Sequence, residues 1–509
     1  MSLNLIKPQT RPSFRTYLEQ GWQDVFLIDA LTGETYTKRA FFQMVATLLE
    51  KLQEEGLEAG DSLVVVLENS TRMAALFFAC MLGQIVFIPI DPNKGPKEFE
   101  DILNQVNAKA HLGRRADIIL PGIQLEPDRL LGALPDQEAP VCLLEQLSNL
   151  SDHIDNEQVS LVTFTSGSTG IPKGVCHSFS NLIQAAEAFN AYFGFNQAHR
   201  FYHHFPMSYM AGLLNSLVLP FIAGSQVIIG ERFGVSKVHT FWKHIIASQA
   251  NVLWLNPTML SLLLKLDRAS EGVEYSHKNT LTGLIATAPL PEALKNCFKE
   301  RYGLPLFQSY GLSETLFVST NHPHQTAPGN SIGYLLPGAE VDFVPIGEHL
   351  DPELLIQVPW MFKGYLNADT ATYFDGRFYR SGDLGRQAES GALLITGRQK
   401  DIIIRGGTNI SPRRLEEFLL AQELVEDCAV IGLPDPILGE KLILAYVAKQ
   451  GTDFDSTKNR VLSQVTEQFG PDYRIDQFIP RDALPMNSNG KLDRTALQTF
   501  CASSHGQPV

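Results

Sequence analysis

TSGSTGIPKG, spanning Thr165–Gly174, is the stretch from which the rest of this chain can be read. Gly167, Gly170 and Gly174 let backbone N–H groups come close to an anion. Thr165, Ser166, Ser168 and Thr169 add hydroxyls, and Lys173 adds a positive charge. Such a loop suits phosphate. It departs from the common P-loop, because Lys173 is followed by Gly174 rather than Ser or Thr. That points away from P-loop NTPases and towards another use of ATP. The plain alternative is a flexible Gly/Ser turn.

The loop is preceded by SLVTFT, Ser160–Thr165, which reads as a strand, and followed by a helical pattern over Leu182–Phe193. A loop at the end of a strand is where α/β folds bind ligands. Further out, helical spacing over Phe41–Leu52 and Thr71–Leu82 alternates with strand-like runs. Those runs are Ser62–Leu67, Ile85–Ile90, Gln226–Ile229, Val252–Leu255 and Leu284–Ala286. The alternation predicts an α/β fold with mostly parallel sheets. After Gly397–Asp401 the chain reads as a small unit: a helix at Pro412–Leu420, strands at Cys428–Gly432 and Leu442–Ala448, and a last helix near Lys458–Gln468. The tail after Leu497 reads as frayed.

With 509 residues the chain is long enough for two or more domains. Its net charge of −14 argues against nucleic-acid binding, which rests on many Lys and Arg contacts to phosphate. Cys80, Cys142, Cys176, Cys297, Cys428 and Cys501 form no CxxC pair, which suits a reducing cytoplasm rather than a disulfide or zinc framework. His203, His204, His322 and His324 make no zinc pattern and read as loop or core residues. The N-terminus lacks an apolar signal core. Ala74–Ile90 is broken by Gly83, Gln84 and Pro89, so it reads as a core helix and a strand rather than a membrane span.

Separate blocks then agree in order and spacing. SYGLSET lies at Ser309–Thr315, YRSGDLGR at Tyr379–Arg386, ITGRQKDIIIRGGTNISPRRLE at Ile395–Glu416 and NSNGKLDR at Asn487–Arg494. With the glycine loop they resemble the adenylate-forming superfamily: acyl-CoA synthetases, adenylation domains of nonribosomal peptide synthetases and luciferases. The likeness covers nearly the whole chain and is strongest in type to fatty or aromatic acid:CoA ligases. It implies a large N-terminal domain of mixed sheets flanked by helices, residues 1–399. A small, mobile α+β C-terminal domain, residues 400–509, would follow.

The resemblance also implies chemistry. A carboxylate attacks the α-phosphate of ATP, giving acyl-AMP and pyrophosphate, and a thiol then displaces AMP. Lys491 would stand between carboxylate and α-phosphate, and Glu314 would hold Mg2+, with the Ser313 hydroxyl on a phosphate. Tyr310 would stack on adenine in a pocket lined by Thr287, Ala288 and Pro289. Asp383 would accept the ribose hydroxyls, with Arg398 on ribose or phosphate. Lys400 is the expected hinge. Gly406 and Gly407 would line a tunnel for the pantetheine arm of coenzyme A. The plainer alternatives are a helix-start carboxylate for Glu314, a turn residue for Asp383 and a linker residue for Lys400.

Amino-acid-activating relatives pair the substrate ammonium with an Asp. The corresponding FPMSYMAGL, Phe205–Leu213, has no acidic residue, which favours a fatty or aromatic acid. Tyr209 stands where a gating aromatic is expected, and Gly212, Asn215, Ala286, Ser309 and Gly311 are candidate pocket walls. Coenzyme A is the expected acceptor. A free-standing enzyme that loads a separate carrier protein and a non-catalytic nucleotide-binding protein are the alternatives.

Overall fold

A computed structural model describes residues 14–113, 122–132, 143–165, 172–288, 290–347, 350–449, 454–486 and 492–503. Of the expected site residues, Ser166, Gly167, Ser168, Thr169, Gly170, Pro289 and Lys491 lie outside them.

Two large sheets form the body of the chain. In the first, strands Leu306–Tyr310, Thr282–Ile285, Val252–Leu255, Arg200–His203, Gln226–Ile229 and Val25–Asp29 run side by side and parallel. Short antiparallel strands close both edges. In the second, Lys173–His177, Leu161–Thr165, Val86–Pro89, Ser62–Val66 and Ala110–Gly113 are neighbours, the last four parallel. Strand periodicity sorts the side chains: Leu63 and Val65 join the main core, whereas Val64 and Val66 join a second cluster on the opposite face.

The helices between the sheets are apolar almost all round because both sides are covered. In Thr71–Leu82 every residue but Arg72 is buried, and the Ser70 hydroxyl caps it by accepting from the Met73 N–H at 3.1 Å. The helix expected over Leu182–Phe193 begins at Phe179, because Ser178 and Asn181 form a reciprocal cap ahead of it. Rings of Phe42, Phe78, Phe179 and Phe221 pack edge-on or tilted in this layer.

The expected dominance of parallel strands holds for these two sheets only. A third sheet, with strands Glu340–Val344, Glu353–Gln357, Phe378–Gln387 and Leu393–Arg398, is antiparallel throughout. Beyond it a fourth sheet of Ile403–Arg405, Thr408–Ile410, Asp427–Asp435, Gly439–Val447 and Gln477–Pro480 has its own buried cluster, including Ile410, Leu415, Val430, Leu444 and Val461. Helices Pro412–Ala421 and Phe454–Phe469 match the expected pattern. The tail differs: Arg494–Ser503 is helical, anchored by Leu497 and Cys501, which are buried against the sheet. Among the described residues no helix is long and apolar enough to cross a membrane.

Candidate active site

The strand Leu161–Thr165 pairs antiparallel with Lys173–His177, placing Thr165 opposite Lys173. The second strand carries the site's first working face. Lys173, Val175 and His177 alternate onto one side. Lys173 donates from Nζ to the Tyr373 hydroxyl at 2.8 Å, and its ammonium lies 4.7 Å and 5.3 Å from the ring centroids of Tyr373 and Tyr365. Val175 is buried with Phe362, Tyr365 and Tyr379. His177, fully buried, donates from Nε2 to the Ser313 carbonyl at 2.7 Å. Burial holds its imidazole down to about 4, so the ring is neutral and a donor at neutral pH.

That bond fixes the turn that presents Glu314. The Leu312 N–H donates to Thr315 Oγ1 at 3.1 Å, and the Trp360 indole donates to the carbonyls of Thr315 and Phe317 at 3.0 and 2.9 Å. Gly311 is required here, because a Cβ would lie 1.7 Å from the Leu316 carbonyl oxygen. Glu314 therefore sits in a tight turn, and no helix begins at it. Its Oε1 accepts from the Tyr365 hydroxyl at 2.6 Å, and that hydroxyl lies 2.9 Å from the hydroxyl of Tyr379. Burial and the nearby carboxylate push the Tyr365 hydroxyl far up, so it remains a donor.

A second group lies on the same long strand as Tyr379. Asp383 faces Arg398 directly across the antiparallel pair, with Nε–Oδ1 at 2.6 Å. Tyr310, at the end of its parallel strand, donates its hydroxyl to Asp383 Oδ2 at 2.7 Å. Asp383 is 3% exposed, and lies within a strand rather than a turn. Its carboxylate raises the Arg398 guanidinium, and burial together with the same carboxylate raises the Tyr310 hydroxyl.

Several further candidates follow the carboxyl ends of the parallel strands, and others lie near the fourth sheet. Ser309 shares a hydrogen bond with Thr320 at 2.8 Å between hydroxyls. Ala286 and Ala288 flank Thr287, whose φ of +75° is unusual for a β-branched residue and whose buried Oγ1 has no hydrogen-bond partner. Tyr209 is half-buried before a π-helix, Ala211–Val218, that carries Gly212 and the buried Asn215. A Cβ at Gly212 would meet the Pro206 carbonyl oxygen at 2.1 Å. His203 and His204 are core residues at the end of the next strand, with burial holding them at about 4 and about 3. Lys400 lies in a 3-10 turn, Gln399–Asp401, between the third and fourth sheets. Gly406 and Gly407, at φ +57° and +86°, turn the exposed hairpin that follows.

A single carboxylate suits Mg2+, which is bound through one or two carboxylates and the substrate's own phosphates. Glu314 offers that, and among the described residues no group of three or more His, Cys, Asp or Glu forms a standing metal cage. Tyr365, Tyr373, Tyr379 and His177 were not singled out from the sequence. The contact between Lys173 and Tyr373 spans 200 residues, and no local pattern encodes it.

The chain matches the AMP-binding enzyme family over residues 14–366 and the AMP-binding enzyme C-terminal domain over residues 414–491. It belongs to the family of AMP-binding enzymes. It is 26% identical over 506 residues to a sulfoacetate–CoA ligase of Cupriavidus necator, covering 94% of this chain and 95% of that protein. It is also 26% identical over 496 residues to a medium-chain fatty-acid–CoA ligase of Escherichia coli, covering 92% and 86%. In structure it is similar to the o-succinylbenzoate CoA synthetase of Bacillus subtilis in complex with an acyl-adenylate intermediate, with a TM-score of 0.78 and 23% identity over 96% of this chain and 98% of that one.

Proposed function

We propose that this enzyme joins a carboxylic acid to coenzyme A in two steps, through an acyl-adenylate. A carboxylate oxygen of the acid attacks the α-phosphorus of ATP, and pyrophosphate leaves. The thiol sulfur of coenzyme A then attacks the acyl carbon, its proton passes to solvent, and AMP leaves. The observation that carries this reading is one strand, Phe378–Gln387, that joins two groups of side chains. Tyr379 reaches the Lys173, Tyr365 and Glu314 cluster, suited to phosphates and a cation. Asp383 holds Arg398 and Tyr310, suited to a nucleoside. When bound, Mg2+ would neutralise phosphate charge beside Glu314.

The acid is proposed to be fatty or aromatic. Phe205–Leu213 offers no carboxylate to an ammonium, and the relatives include ligases of medium-chain fatty acids and of 2-succinylbenzoate. Domain limits at 1–399 and 400–509, with Lys400 as hinge and Lys491 as the adenylating cation, complete the proposal. A reducing cytoplasm is the proposed compartment, because the six cysteines form no CxxC pair.

The test is incubation of the purified protein with ATP, Mg2+ and a panel of fatty, aromatic and amino acids, with and without coenzyme A. Products are read by mass spectrometry. Acyl-CoA and AMP from one acid class are expected. Acyl-AMP with no acyl-CoA would move the acceptor to a carrier protein. No acid-dependent AMP at all would overturn the reading in favour of a nucleotide-binding protein.

A further inference from the structure

Lys173 and Glu314 bring opposite charges to one small cluster, yet no salt bridge of 4 Å or less joins them. A lysine and a glutamate that met at hydrogen-bonding distance in a half-buried site would attract strongly. Such a pair would quench the two charges that a nucleotide needs. What intervenes is aromatic. The Tyr365 ring lies under the Lys173 ammonium at 5.3 Å, while the hydroxyl of the same residue is bonded to Glu314 at 2.6 Å. Tyr373 completes the cradle, with its ring 4.7 Å from the ammonium and its hydroxyl accepting at 2.8 Å.

The cradle is held on several sides. Tyr365 packs edge-on against Phe362 and Tyr373 with centroids 5.0 and 4.9 Å apart, and its hydroxyl meets that of Tyr379. Its backbone pairs with Val175 on the strand that carries Lys173. Rings hold an ammonium by their faces more weakly than a carboxylate does and leave N–H donors available to oxygen. Lys173 can therefore turn from the rings to a phosphate at less cost than breaking an ion pair.

We propose that Tyr365 and Tyr373 are positioning residues that keep the Lys173 ammonium and the Glu314 carboxylate from pairing with each other. Both charges are thereby presented to the phosphates and cation of an incoming nucleoside triphosphate. The proposal rests on the reading above, in which Lys173 and Glu314 serve that nucleotide.

The experiment measures kcat, KM for MgATP and KM for the acid in the pyrophosphate-exchange half-reaction of the full-length enzyme. The variants are Tyr365→Leu, Tyr365→Phe, Tyr373→Leu and Tyr373→Phe, each at about 50 mM and about 500 mM salt. Tyr365→Leu is expected to raise the KM for MgATP by about 10-fold, with the acid KM within about 2-fold of wild type. Higher salt should recover part of that loss by screening the collapsed pair, while the wild type gains nothing from it. Tyr373→Phe keeps the ring and loses the hydroxyl, so a rise of about 3-fold is expected, against about 10-fold for Tyr373→Leu. Should a leucine variant not fold, the two phenylalanine variants carry the test.

An unchanged MgATP KM across the folded variants would overturn the proposal, as would parallel changes in both KM values. Lys173→Ala and Glu314→Ala separate the two levels of the argument. If they raise the MgATP KM and the tyrosine variants do not, the positioning role alone fails. If they leave it unchanged, the nucleotide reading of this cluster fails, and the positioning role with it.

Discussion

Arg398 and Asp383 stand opposite each other in register across two antiparallel strands, joined at 2.6 Å, with Tyr310 closing on the other carboxylate oxygen at 2.7 Å. The Asp383 side chain is 4% exposed and that of Arg398 43%, so the carboxylate is the buried partner and solvent screens the pair from one side. Removing the guanidinium leaves a buried carboxylate with one neutral donor. Arg398→Ala is expected to lower unfolding stability by about 1–2 kcal/mol, below the usual cost of breaking a fully buried pair. ATP-dependent exchange should fall by about 10²-fold. Arg398→Lys should recover little, because a single ammonium cannot reproduce the planar fork. Thermal melts and exchange rates on the three proteins check this.

Lys491 and Lys400 give a kinetic contrast. Lys491→Ala is expected to slow adenylation by about 10²–10³-fold, the range for losing one transition-state donor, with a smaller effect on the thiol step. Lys400→Pro should do the reverse, since a fixed φ at the hinge would hinder rotation to the thioester pose. Single-turnover rates for each half-reaction decide it. Equal losses in both steps would remove Lys400 from the hinge, and undiminished pyrophosphate release by Lys491→Ala would remove that lysine from the chemistry.

Gly311→Ala tests the turn that carries Glu314. The added Cβ would stand 1.7 Å from the Leu316 carbonyl oxygen, so the backbone must move. Overpacking of this kind costs about 1–3 kcal/mol. The expected result is a raised KM for MgATP, with the acid KM less affected. A variant with wild-type nucleotide kinetics would mean that the turn tolerates displacement and that Glu314 does not depend on it.

Three buried histidines predict acid sensitivity. Burial lowers His177 and His203 to about 4 and His204 to about 3. In the unfolded chain each would bind a proton near pH 6.5, so between about pH 6.5 and 4 the unfolded state holds more protons. Stability is therefore fully present above about pH 6.5 and drains by several kcal/mol, on the order of 1.4 for each unit of lowering, as the pH falls towards the folded values. His204 packs among Tyr202, Phe205, Phe233 and Phe241, and neither of its ring nitrogens has a hydrogen-bond partner. His204→Phe should shallow the slope of stability against pH in that window. Denaturant titrations at pH 5 and pH 7 measure it, and an unaltered slope would show that His204 does not titrate on unfolding.

The two parallel sheets were legible because their strands are short β-branched runs between helices of clear period. Gln226–Ile229, Val252–Leu255 and the helix Thr71–Leu82 fall where the pattern put them. The third sheet was not. Its strand Glu340–Val344 is partly exposed and interleaves acidic with apolar residues, giving no long apolar run. The short helix Arg494–Ser503 was not legible either: only Leu497 and Cys501, one turn apart, mark its buried face. Among site residues, Asp383 and Glu314 stood out by motif, while Tyr373 and His177 did not. Their partners lie 200 and 136 residues away in the chain, and only strand order brings them together.

One contact outside the site bears on how the two ends of the chain sit against each other. Lys265, on the helix Pro257–Leu266, pairs with Glu426 beside the fourth sheet at 2.6 Å, and both side chains are largely open to solvent. An exposed pair of this kind is worth about 0.2–1 kcal/mol, or about a 1.4- to 5-fold bias in a two-state balance. Any turning of the C-terminal sheet about Lys400 has to release it. Were the C-terminal sheet to turn at the proposed hinge, ionic strength would become a dial on domain posture: dilute buffer would lengthen the dwell in the docked arrangement, and salt would shorten it without altering a single residue.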